Sequence, residues 1–595
     1  MRPVQLFITK LLAITILITV TPAVAFAEGD RTVGWIELSG TLRDGPLPFA
    51  WVPEDEAKPS LTTVIKSLDH VAESDTHLGL VIYLNEPRLT LQQIEALGRA
   101  LDRIRDAGKK IITFSETYST NAYLIASHAD IIALQSKGVL MLHGLHTEEM
   151  YLAGLLERMG IEADFMQVGR YKGADEALTR KDPTPFWDEN MDGLLDDLYA
   201  QIIEHIATRR DLTAEQVEAL MRDSWLLSDT QLVRRGAIDE ITPRDMEAVI
   251  VKTFGDDITW DDRLGSSSAR MPENPFVLFQ MLFREQKTKT EGPTLAIIHA
   301  RGPIHMGESS VDDGQFSDNS IGHNTLVKAF RDAREDDNIK GVVLRIDSPG
   351  GSAIASDVIW QAVRETGETK PVFVSVGRLA ASGGYYIACA GDEIYVEAPS
   401  IVGSIGVVSG KIHLAGLYEK LDLGVTVRSR GPMADMFASD RPFTPAERHT
   451  MLAFMERIYD QFVDRIRTGR GERLIRIDQV AEGRLFTGRQ ATENGLADRL
   501  GGLEIALSDL ASGLNLAEGE YDVINLPEPL SFQDFMQQAF GVRSPATQLT
   551  LPALARNLLG DRWSNVGPII QGAMLLQREP ALVLMPVAID LRITP

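Results

Sequence analysis

The sequence predicts an α/β protein built from two copies of one unit. Short apolar runs alternate with longer amphipathic segments, as in folds where helices connect parallel strands. Segments of the first half recur in the second half in the same order, which indicates a tandem repeat. The chain has 595 residues, too many for one ordinary core, so two large domains are expected.

Within the first copy, four short runs rich in branched and aromatic residues predict strands, and three longer periodic segments predict helices. The predicted strands span residues 33–38, 80–84, 111–114 and 131–134. The predicted helices span residues 91–104, 148–159 and 189–208. Strands that are separated by helices favour a mainly parallel sheet.

The repeat is defined by matching residues at a nearly constant offset. Residues 79–87 (GLVIYLNEP) match residues 341–349 (GVVLRIDSP), and 341 − 79 = 262. Residues 123–130 match residues 385–392 at the same offset, so no net insertion separates the two matches. The chain therefore duplicates one unit.

The offsets divide the chain into four parts after its N-terminal segment. The first repeat covers residues 31–265 and the second covers residues 293–510. Residues 266–292 mix Ser, Pro and charged residues and are interpreted as the linker. Residues 511–595 form a C-terminal extension for which the sequence indicates no role.

Residues 1–27 have the organisation of an export signal. A basic start precedes the apolar run 11–20, and small residues lead up to Ala27. The run is slightly short for a membrane span, which favours cleavage after Ala27, yet its apolar character extends back to Val4. A cleaved signal peptide and a membrane anchor both stay open, and either one indicates an exported protein.

The composition argues against some partners and crosslinks. A formal net charge of −25 and a pI near 4.9 would repel the phosphates of nucleic acid, so no nucleic-acid partner is expected. Cys389 is the only cysteine, so an intrachain disulfide is excluded. The 11 histidines are scattered without a His-Glu-x-x-His pattern, so we expect neither a metal nor a cofactor.

Two glycine turns in the second repeat suggest chemistry. Ser382 lies where the predicted strand 371–376 gives way to the predicted helix 385–390. Gly383 comes directly after it and leaves room for a carbonyl group to approach. A second apolar strand ends in a turn at Gly351, whose backbone N–H would converge on the same point. The pattern predicts a serine nucleophile with an oxyanion hole formed by Gly351 and Gly383.

The same turns carry a family resemblance. Asp-Ser-Pro-Gly-Gly at residues 347–351, Ala-Ser-Gly-Gly at 381–384 and Gly-Ser-Ile-Gly-Val at 403–407 resemble the signal peptide peptidase A (protease IV) family. This resemblance implies a ClpP/crotonase-like fold and a Ser/Lys catalytic dyad. It is specific in the second repeat and weaker in the first.

A serine hydroxyl needs a neighbouring base, and histidine is the first candidate. The stretch 383–412 after Ser382 contains no histidine. His413 lies in an apolar setting, where a structural histidine is the simpler interpretation. A Ser/His/Asp triad is therefore not expected.

A lysine can serve as the base if burial disfavours its charged form. The second repeat does not readily supply such a lysine, because no lysine follows Lys420. The residue 52 positions after Ser382 is Ala434. The residue 52 positions after Thr120, the first-repeat counterpart of Ser382, is Lys172 (120 + 52). We therefore predict Lys172 as the general base. The resemblance implies the same residue, since the long form of this family has its lysine in a Tyr-Lys motif of the first repeat.

The first repeat is predicted to be unable to act alone. Leu89 occupies the position equivalent to Gly351, and Thr120 occupies that of Ser382. Each repeat then holds half of a site, with the serine and the oxyanion hole in the second and the lysine in the first.

The resemblance implies further properties. Ser404 is implied to orient the lysine amine. Remnant signal peptides and misfolded exported proteins are implied as substrates, with the bulk of the protein on the periplasmic side of the inner membrane. A membrane-associated homotetramer is implied as the assembly.

The expected function is that of a serine endopeptidase with a Ser/Lys dyad. One alternative is a crotonase-like acyl-CoA enzyme, although export separates the protein from a cytoplasmic cofactor and neither glycine turn supplies an acid/base carboxylate. The other alternative is a non-catalytic assembly module, which the first repeat alone would suggest. The complete serine and glycine set in the second repeat favours the peptidase.

Overall fold

A computed structural model describes residues 31–45, 59–243, 246–262, 264, 292–309, 320–431, 433–527, 582–584 and 592–593. The predicted export signal at 1–27 and the linker up to residue 291 lie outside the described residues, as does most of the C-terminal extension. No helix in these ranges has the length and apolar character needed to cross a membrane.

The first unit is a parallel sheet covered by helices, in the strand order β7-β4-β3-β2-β1-β8. Its strands, together with two that pair elsewhere, are β1 (Thr32–Gly40), β2 (His77–Pro87), β3 (Lys110–Ser119), β4 (Ile131–Met141), β5 (Leu145–His146), β6 (Glu162–Val168), β7 (Glu240–Thr242) and β8 (Thr259–Asp261). Its helices are α1 (Leu61–Glu73), α2 (Leu91–Asp106), α3 (Thr120–Ala126), α4 (Ala153–Met159), α5 (Glu176–Thr179), α6 (Pro185–Arg210), α7 (Ala214–Asp223), α8 (Asp229–Arg234) and α9 (Glu247–Phe254).

The second unit repeats this plan in the order β18-β16-β14-β12-β9-β20, with β15 beside β14 and β19 beside β15. Its strands are β9 (Thr294–Arg301), β10 (Ile304–His305), β11 (Ile321–Gly322), β12 (Ile339–Ser348), β13 (Gly350–Ser352), β14 (Val372–Ala381), β15 (Glu393–Val396), β16 (Ile401–Gly403), β17 (Val407–His413), β18 (Leu485–Thr487), β19 (Arg499–Leu500) and β20 (Asp522–Leu526). Its helices are α10 (His323–Glu335), α11 (Ala353–Gly367), α12 (Gly383–Ala388), α13 (Ala415–Lys420), α14 (Pro445–Arg470), α15 (Ile477–Val480), α16 (Gly488–Asn494) and α17 (Leu503–Gly513).

The central strands of both sheets are buried on both faces. In β12, Val342, Val343 and Leu344 have no exposed surface. Near-continuous apolar strands of this kind are typical of parallel sheets that carry helices on each side. Alternation of strand and helix in the sequence therefore predicted the right fold class, a mainly parallel α/β architecture.

The strands and helices of the two units correspond almost one to one when residue numbers are shifted by the repeat offset. Shifting β3 by 262 residues gives β14 at both ends, since 110 + 262 = 372 and 119 + 262 = 381. Shifting α6 by 260 gives α14, since 185 + 260 = 445 and 210 + 260 = 470. The tandem duplication predicted from the offsets is confirmed.

Some predicted boundaries were wrong by a few residues. The helix predicted at 148–159 begins only at Ala153, because the preceding residues connect β5 to α4. The helix predicted at 385–390 is α12, which begins two residues earlier and ends at Ala388. Within the segment interpreted as an extension, β20 forms the edge of the second sheet.

A third sheet joins the two units, in the order β11-β10-β13-β21-β17-β6, where β21 is Leu582–Leu584. Strand β6 of the first unit pairs antiparallel with β17 of the second, from Val168 against Val407 to Glu162 against His413. A further short strand, β22 (Arg592–Ile593), pairs with β5. Backbone hydrogen bonds between these strands therefore join the two units.

Candidate active site

Ser382 occupies the sharp junction between β14 and α12. Its backbone has φ 55° and ψ −115°, a conformation that a residue with a side chain adopts at a cost of about 1–3 kcal/mol. The Ser382 N–H donates to the Gly403 carbonyl at 2.7 Å, which holds the turn against β16. The side chain is fully buried within the protein.

Lys172 reaches the same point from the other unit. It lies in the turn after β6, and its side chain is fully buried. Lys172 Nζ lies 2.7 Å from Ser382 Oγ, 2.7 Å from the Ser404 carbonyl oxygen and 3.0 Å from Ser404 Oγ. The structure thus brings together three of the residues that the sequence singled out.

Burial lowers the pKa of Lys172 well below its ordinary value of 10.5. No charged group among the described residues offsets this effect. A neutral amine has two N–H donors and one lone pair. If the two N–H groups donate to the oxygens of Ser404, the lone pair is left to accept the Ser382 hydroxyl proton.

A loop of the second unit holds Lys172 in place. The Tyr171 N–H donates to the Glu482 carbonyl at 2.8 Å, and the Gly483 N–H donates to the Ile405 carbonyl at 2.8 Å. Gly483 has φ 87°, and a Cβ there would lie 2.5 Å from Lys172 Cα. Only glycine fits this turn, so the loop and the lysine backbone are in direct contact.

The same loop also fixes Ser404 and the aromatic ring next to the lysine. Ser404 N–H donates to the Arg484 carbonyl at 2.6 Å. The Arg484 guanidinium lies 3.7 Å from the centroid of the Tyr171 ring. Sequence reasoning missed this loop, because a Glu-Gly-Arg turn far along the chain gives no indication of which residue it will contact.

The two glycine turns lie side by side. A Cβ placed on Gly383 would lie 3.1 Å from Gly351 N, 3.0 Å from Gly350 Cα and 2.7 Å from Ser356 Oγ. A Cβ on Gly351, which has φ 151°, would lie 2.0 Å from the Ile304 carbonyl oxygen. A side chain at Gly351 would collide with the backbone, one at Gly383 would be crowded, and Gly383 lies directly beside the Gly351 N–H.

In the first unit, the equivalent space is filled. Asn121, the counterpart of Gly383 (121 + 262), accepts a hydrogen bond through Oδ1 from Leu89 N at 3.1 Å. Its Nδ2 donates to the Leu89 carbonyl at 2.6 Å. Leu89 is the counterpart of Gly351, so the amide that would bind an oxyanion is already occupied. Thr120 Oγ1 bonds to the backbone of His143 instead of to a base.

Two other side chains with possible chemistry lie away from this point. His413 is at the opposite end of the β6–β17 ladder from Val407, about 20 Å along a strand at 3.3 Å per residue. Cys389 is buried, and burial raises the pKa of its thiol to about 12. Neither side chain is placed to activate Ser382.

One cluster of metal-ligand types occurs among the described residues. His70, His77 and Asp261 each offer a ligand atom, and these atoms lie within 4.8 Å of one another. Sequence reasoning did not find this group, because Asp261 is far from both histidines along the chain. His77 Nδ1 already contacts Ser74 Oγ at 2.8 Å.

Together, a duplicated α/β fold and a serine beside a desolvated lysine define the class of serine hydrolases that use an amine base. The model of peptidase family S49 matches residues 103–251 and 364–517, about half of the chain in two blocks. The chain belongs to peptidase family S49 and is a serine peptidase. Its fold is a tandem duplication of one α/β unit, and each matched block covers most of one repeat.

Curated relatives extend over most of the chain. Protease 4 of Haemophilus influenzae is 27% identical over 524 residues, which is 86% of this chain and 79% of that protein. Protease 4 of Salmonella typhi is 28% identical, covering 83% of this chain and 79% of that protein. The chloroplastic serine protease SPPA of Arabidopsis thaliana is 28% identical, covering 72% and 62%.

Proposed function

We propose that Ser382 and Lys172 form the catalytic dyad of an endopeptidase, with each residue supplied by a different repeat. The observation that carries this proposal is the 2.7 Å contact between Lys172 Nζ and Ser382 Oγ in a fully buried setting. The lowered pKa of the amine supports its role as a base, because the amine is then neutral at pH values where an exposed lysine is charged.

The proposed reaction begins when Ser382 Oγ attacks the carbonyl carbon of a peptide bond. Lys172 takes the hydroxyl proton as the C–O bond forms, and the carbonyl oxygen becomes an oxyanion held by the N–H groups of Gly351 and Gly383. The resulting ammonium then donates its proton to the leaving amine as the C–N bond breaks. Water, deprotonated by the neutral Lys172, then attacks the acyl carbon, and the ammonium returns this proton to Ser382 Oγ as the ester C–O bond breaks.

Ser404 is assigned a positioning role. Its carbonyl and hydroxyl oxygens both lie within hydrogen-bonding distance of Lys172 Nζ. These acceptors fix the direction of the amine lone pair in the ground state and stabilise the ammonium formed during the reaction. Because Ser404 N is itself bonded to Arg484, this acceptor pair is rigid.

The proposed substrates are cleaved signal peptides and other exported polypeptides. The motifs at 347–351, 381–384 and 403–407 resemble those of signal peptide peptidase A, and the curated relatives are proteases of this type. The export-signal pattern at residues 1–27 supports action outside the cytoplasm. The proposed location is the periplasmic side of the inner membrane, with the protein associated with that membrane. Cell fractionation, with an intact mass of the native protein, tests the location and the cleavage after Ala27.

A homotetramer is the proposed assembly, and the repeat supplies an argument for contacts between copies. Shifting β6 by 260 residues gives residues 422–428, which join no sheet in the described part of the chain. Leu423, Val425 and Val427 on this segment are between 43% and 54% exposed. The region after β5 is the first-unit counterpart of β17, so the β6–β17 pairing would recur if this segment paired with that region of a second copy. A head-to-tail contact of this kind closes into a ring.

The dyad is tested by labelling the purified protein with a serine-directed fluorophosphonate. We expect one labelled site at Ser382, and loss of labelling in Ser382→Ala. Hydrolysis of a hydrophobic peptide of about 20 residues, the length of a membrane-spanning or signal segment, is compared with hydrolysis of an acyl-CoA thioester. Turnover of the thioester without turnover of the peptide would favour the crotonase-like alternative and contradict the proposal.

A further inference from the structure

Three side chains that can bind a metal meet at the amino end of the sheet of the first unit. His70 lies in the last turn of α1, His77 begins β2 and Asp261 ends β8. One ligand atom from each residue lies within 4.8 Å of the other two. Three elements that are far apart in the sequence therefore bring two imidazole nitrogens and a carboxylate oxygen to one point.

His77 contributes a buried nitrogen that needs a partner. Its side chain is 5% exposed, and Nε2 makes no hydrogen bond within the described part of the chain. Nδ1 lies 2.8 Å from Ser74 Oγ. If Nδ1–H donates to that oxygen, Nε2 carries the lone pair of the ring, 3.4 Å from Asp261 Oδ2. Two acceptors at this distance repel each other unless a cation lies between them.

The distances fit a four-coordinate ion. Ligand atoms at about 2.0–2.1 Å from a tetrahedral Zn²⁺ lie about 3.4 Å from one another. His77 Nε2 and Asp261 Oδ2 have this separation. The rings of His70 and His77 have centroids 5.5 Å apart and are inclined at 76°, so their nitrogens can approach one ion from different directions. His70 is exposed, which leaves its side chain room to rotate and the fourth position open to water.

The charges around this point suit a cation that prefers nitrogen ligands. Asp261 supplies one negative charge. The last carbonyl groups of α1 carry a partial negative charge, and three carbonyl oxygens at this end of the helix already accept hydrogen bonds from the Lys109 ammonium. Burial lowers the pKa of His77 below its ordinary value of 6.5, so the ring is in the neutral form that binds metals.

The second repeat allows a comparison at equivalent positions. Shifting α1 by 262 residues gives α10, since 61 + 262 = 323 and 73 + 262 = 335. The start of β2 gives the start of β12, since 77 + 262 = 339. Strand β8 corresponds to β20, because Thr32 of β1 is opposite Thr259 and its counterpart Thr294 of β9 is opposite Asp522.

The second repeat carries Asp332, Ile339 and Ile524 at the three positions, so it has neither histidine. Ile339 is 2% exposed and belongs to the hydrophobic core. An apolar side chain therefore fills the position of His77 without leaving a buried nitrogen unpaired, and packing alone does not require a histidine there. The difference between the repeats indicates that the two histidines serve a purpose specific to the first unit.

We propose that His70, His77 and Asp261 bind one Zn²⁺ ion, with water as the fourth ligand. Two imidazoles and a carboxylate suit Zn²⁺, whereas Mg²⁺ and Ca²⁺ prefer oxygen ligands alone. The ion joins α1, β2 and the edge strand β8, and it closes a long loop between His70 and Asp261 (261 − 70 = 191 residues). Closing a loop of this length restricts the unfolded chain and stabilises the first unit. It also fixes the end of the first unit just before the predicted linker at 266–292.

This site is separate from the proposed dyad. Strand β2 runs for ten residues from His77 to Pro87 (87 − 77 = 10), so about 33 Å separate the metal end of the sheet from its carboxyl end. Among the described residues, the hydrogen bonds of Lys172 and Ser382 involve none of the three ligands. The proposed role of the ion is structural, and its test does not depend on the proposed function.

The test measures Zn²⁺ binding to the full-length protein after a chelator has removed bound metal. Isothermal titration calorimetry is expected to give one site per chain. The melting temperature is expected to rise by about 5–10 °C when Zn²⁺ is present at about 100 times its Kd. Mg²⁺ at the same concentration is expected to give no rise. Absence of saturable Zn²⁺ binding, or an equal rise with Mg²⁺, would overturn the inference.

Variants of the three ligands locate the ion. His77→Ile copies the second repeat and is expected to lower Zn²⁺ affinity by about 100-fold or more, because loss of a ligand exceeds the usual effect of losing an outer partner. His70→Ala and Asp261→Asn are expected to have the same effect, and since neither residue is buried these variants test the site even if His77→Ile folds poorly. Circular dichroism checks the fold. Wild-type affinity in any folded variant of the three would overturn the inference.

Two further variants separate a built site from general binding by histidines. Ser74→Ala removes only the partner of His77 Nδ1 and is expected to lower Zn²⁺ affinity by about 10- to 100-fold. His146→Ala is the matched control, because His146 is an exposed histidine whose Nε2 lies 3.4 Å from Glu148 Oε1. It is expected to leave affinity and melting temperature unchanged. A loss of Zn²⁺ binding in His146→Ala equal to that in His77→Ile would contradict the assignment.

Discussion

The two repeats share most of their strands and helices but differ in the side chain that lies beside one backbone amide. In the second repeat, glycine at 383 places no side chain of its own against Gly351 N. In the first repeat, Asn121 reaches into the equivalent space and bonds the N–H of Leu89. The comparison teaches that the proposed oxyanion hole depends on a missing side chain, because the surrounding strands and helix are the same in both repeats.

The repeats also differ at the β6-type strand and the turn after it. In the first repeat this segment pairs with β17 and delivers Lys172 to the serine of the other unit. In the second repeat the corresponding residues 422–428 are exposed, and no lysine follows Lys420. One repeat carries the proposed nucleophile and the other carries the proposed base, so each repeat holds half of the proposed site.

The largest effect is expected from removing either half of the dyad. Ser382→Ala and Lys172→Met should each lower kcat/KM for a peptide by about 10⁴-fold or more, the usual loss when a nucleophile or its base is removed. Methionine is chosen because Lys172 is fully buried and a smaller residue would open a cavity. Thr120→Ala, at the equivalent position of the first repeat, is the control and should keep near wild-type activity. A Lys172→Met enzyme with wild-type kcat would disprove the shared dyad.

Converting one repeat into the other at the oxyanion hole should have the next largest effect. Gly383→Asn copies Asn121 and should lower kcat by roughly 10²–10³-fold, the loss expected from one oxyanion donor. The reverse change, Asn121→Gly, should leave activity unchanged, since no serine lies beside it. Steady-state kinetics on both variants measures kcat, and circular dichroism checks that the fold is kept. If both changes had equal effects, the assignment of the hole to the second repeat would be wrong.

Ser404→Ala should lower kcat by roughly 10- to 100-fold, since the amine is then less well oriented. Wild-type kcat/KM should rise with pH through the lowered pKa of Lys172, because only the neutral amine accepts a proton. Loss of one acceptor for the ammonium should move this inflection to lower pH in Ser404→Ala. pH–rate profiles of both enzymes measure the shift, and an unchanged inflection would restrict Ser404 to a structural role.

The smallest effect concerns stability. The unfolded chain protonates Lys172 below about pH 10.5, while the folded protein keeps the amine neutral down to a lower pH. Wild type should therefore lose stability relative to Lys172→Met as pH falls from about 10.5 to the folded pKa, by about 1.4 kcal/mol for each unit of pKa lowering. Melting temperatures of both proteins across this range test the sign. A gap that widens above pH 10.5 would contradict it.

Local sequence patterns predicted much of this molecule. Alternating strands and helices and the 262-residue offset predicted the duplicated parallel α/β fold, because burial on both faces of a sheet forces long apolar runs in the chain. Ser382 and the glycines at 351 and 383 were found because tight turns restrict residue type locally. The repeat itself indicated Lys172, since a residue lost from one copy can be sought in the other.

Only the tertiary structure decided how the halves meet. The pairing of β6 with β17, the contact of Gly483 with Lys172 and the insertion of β21 beside Gly351 join residues hundreds of positions apart. Backbone atoms make these contacts, and they leave almost no trace in the side-chain pattern because every residue carries the same N–H and C=O groups. For the same reason, the sequence indicated the side chains that we propose for the chemistry, while the folded chain decided the distances between them and the lowered pKa of Lys172.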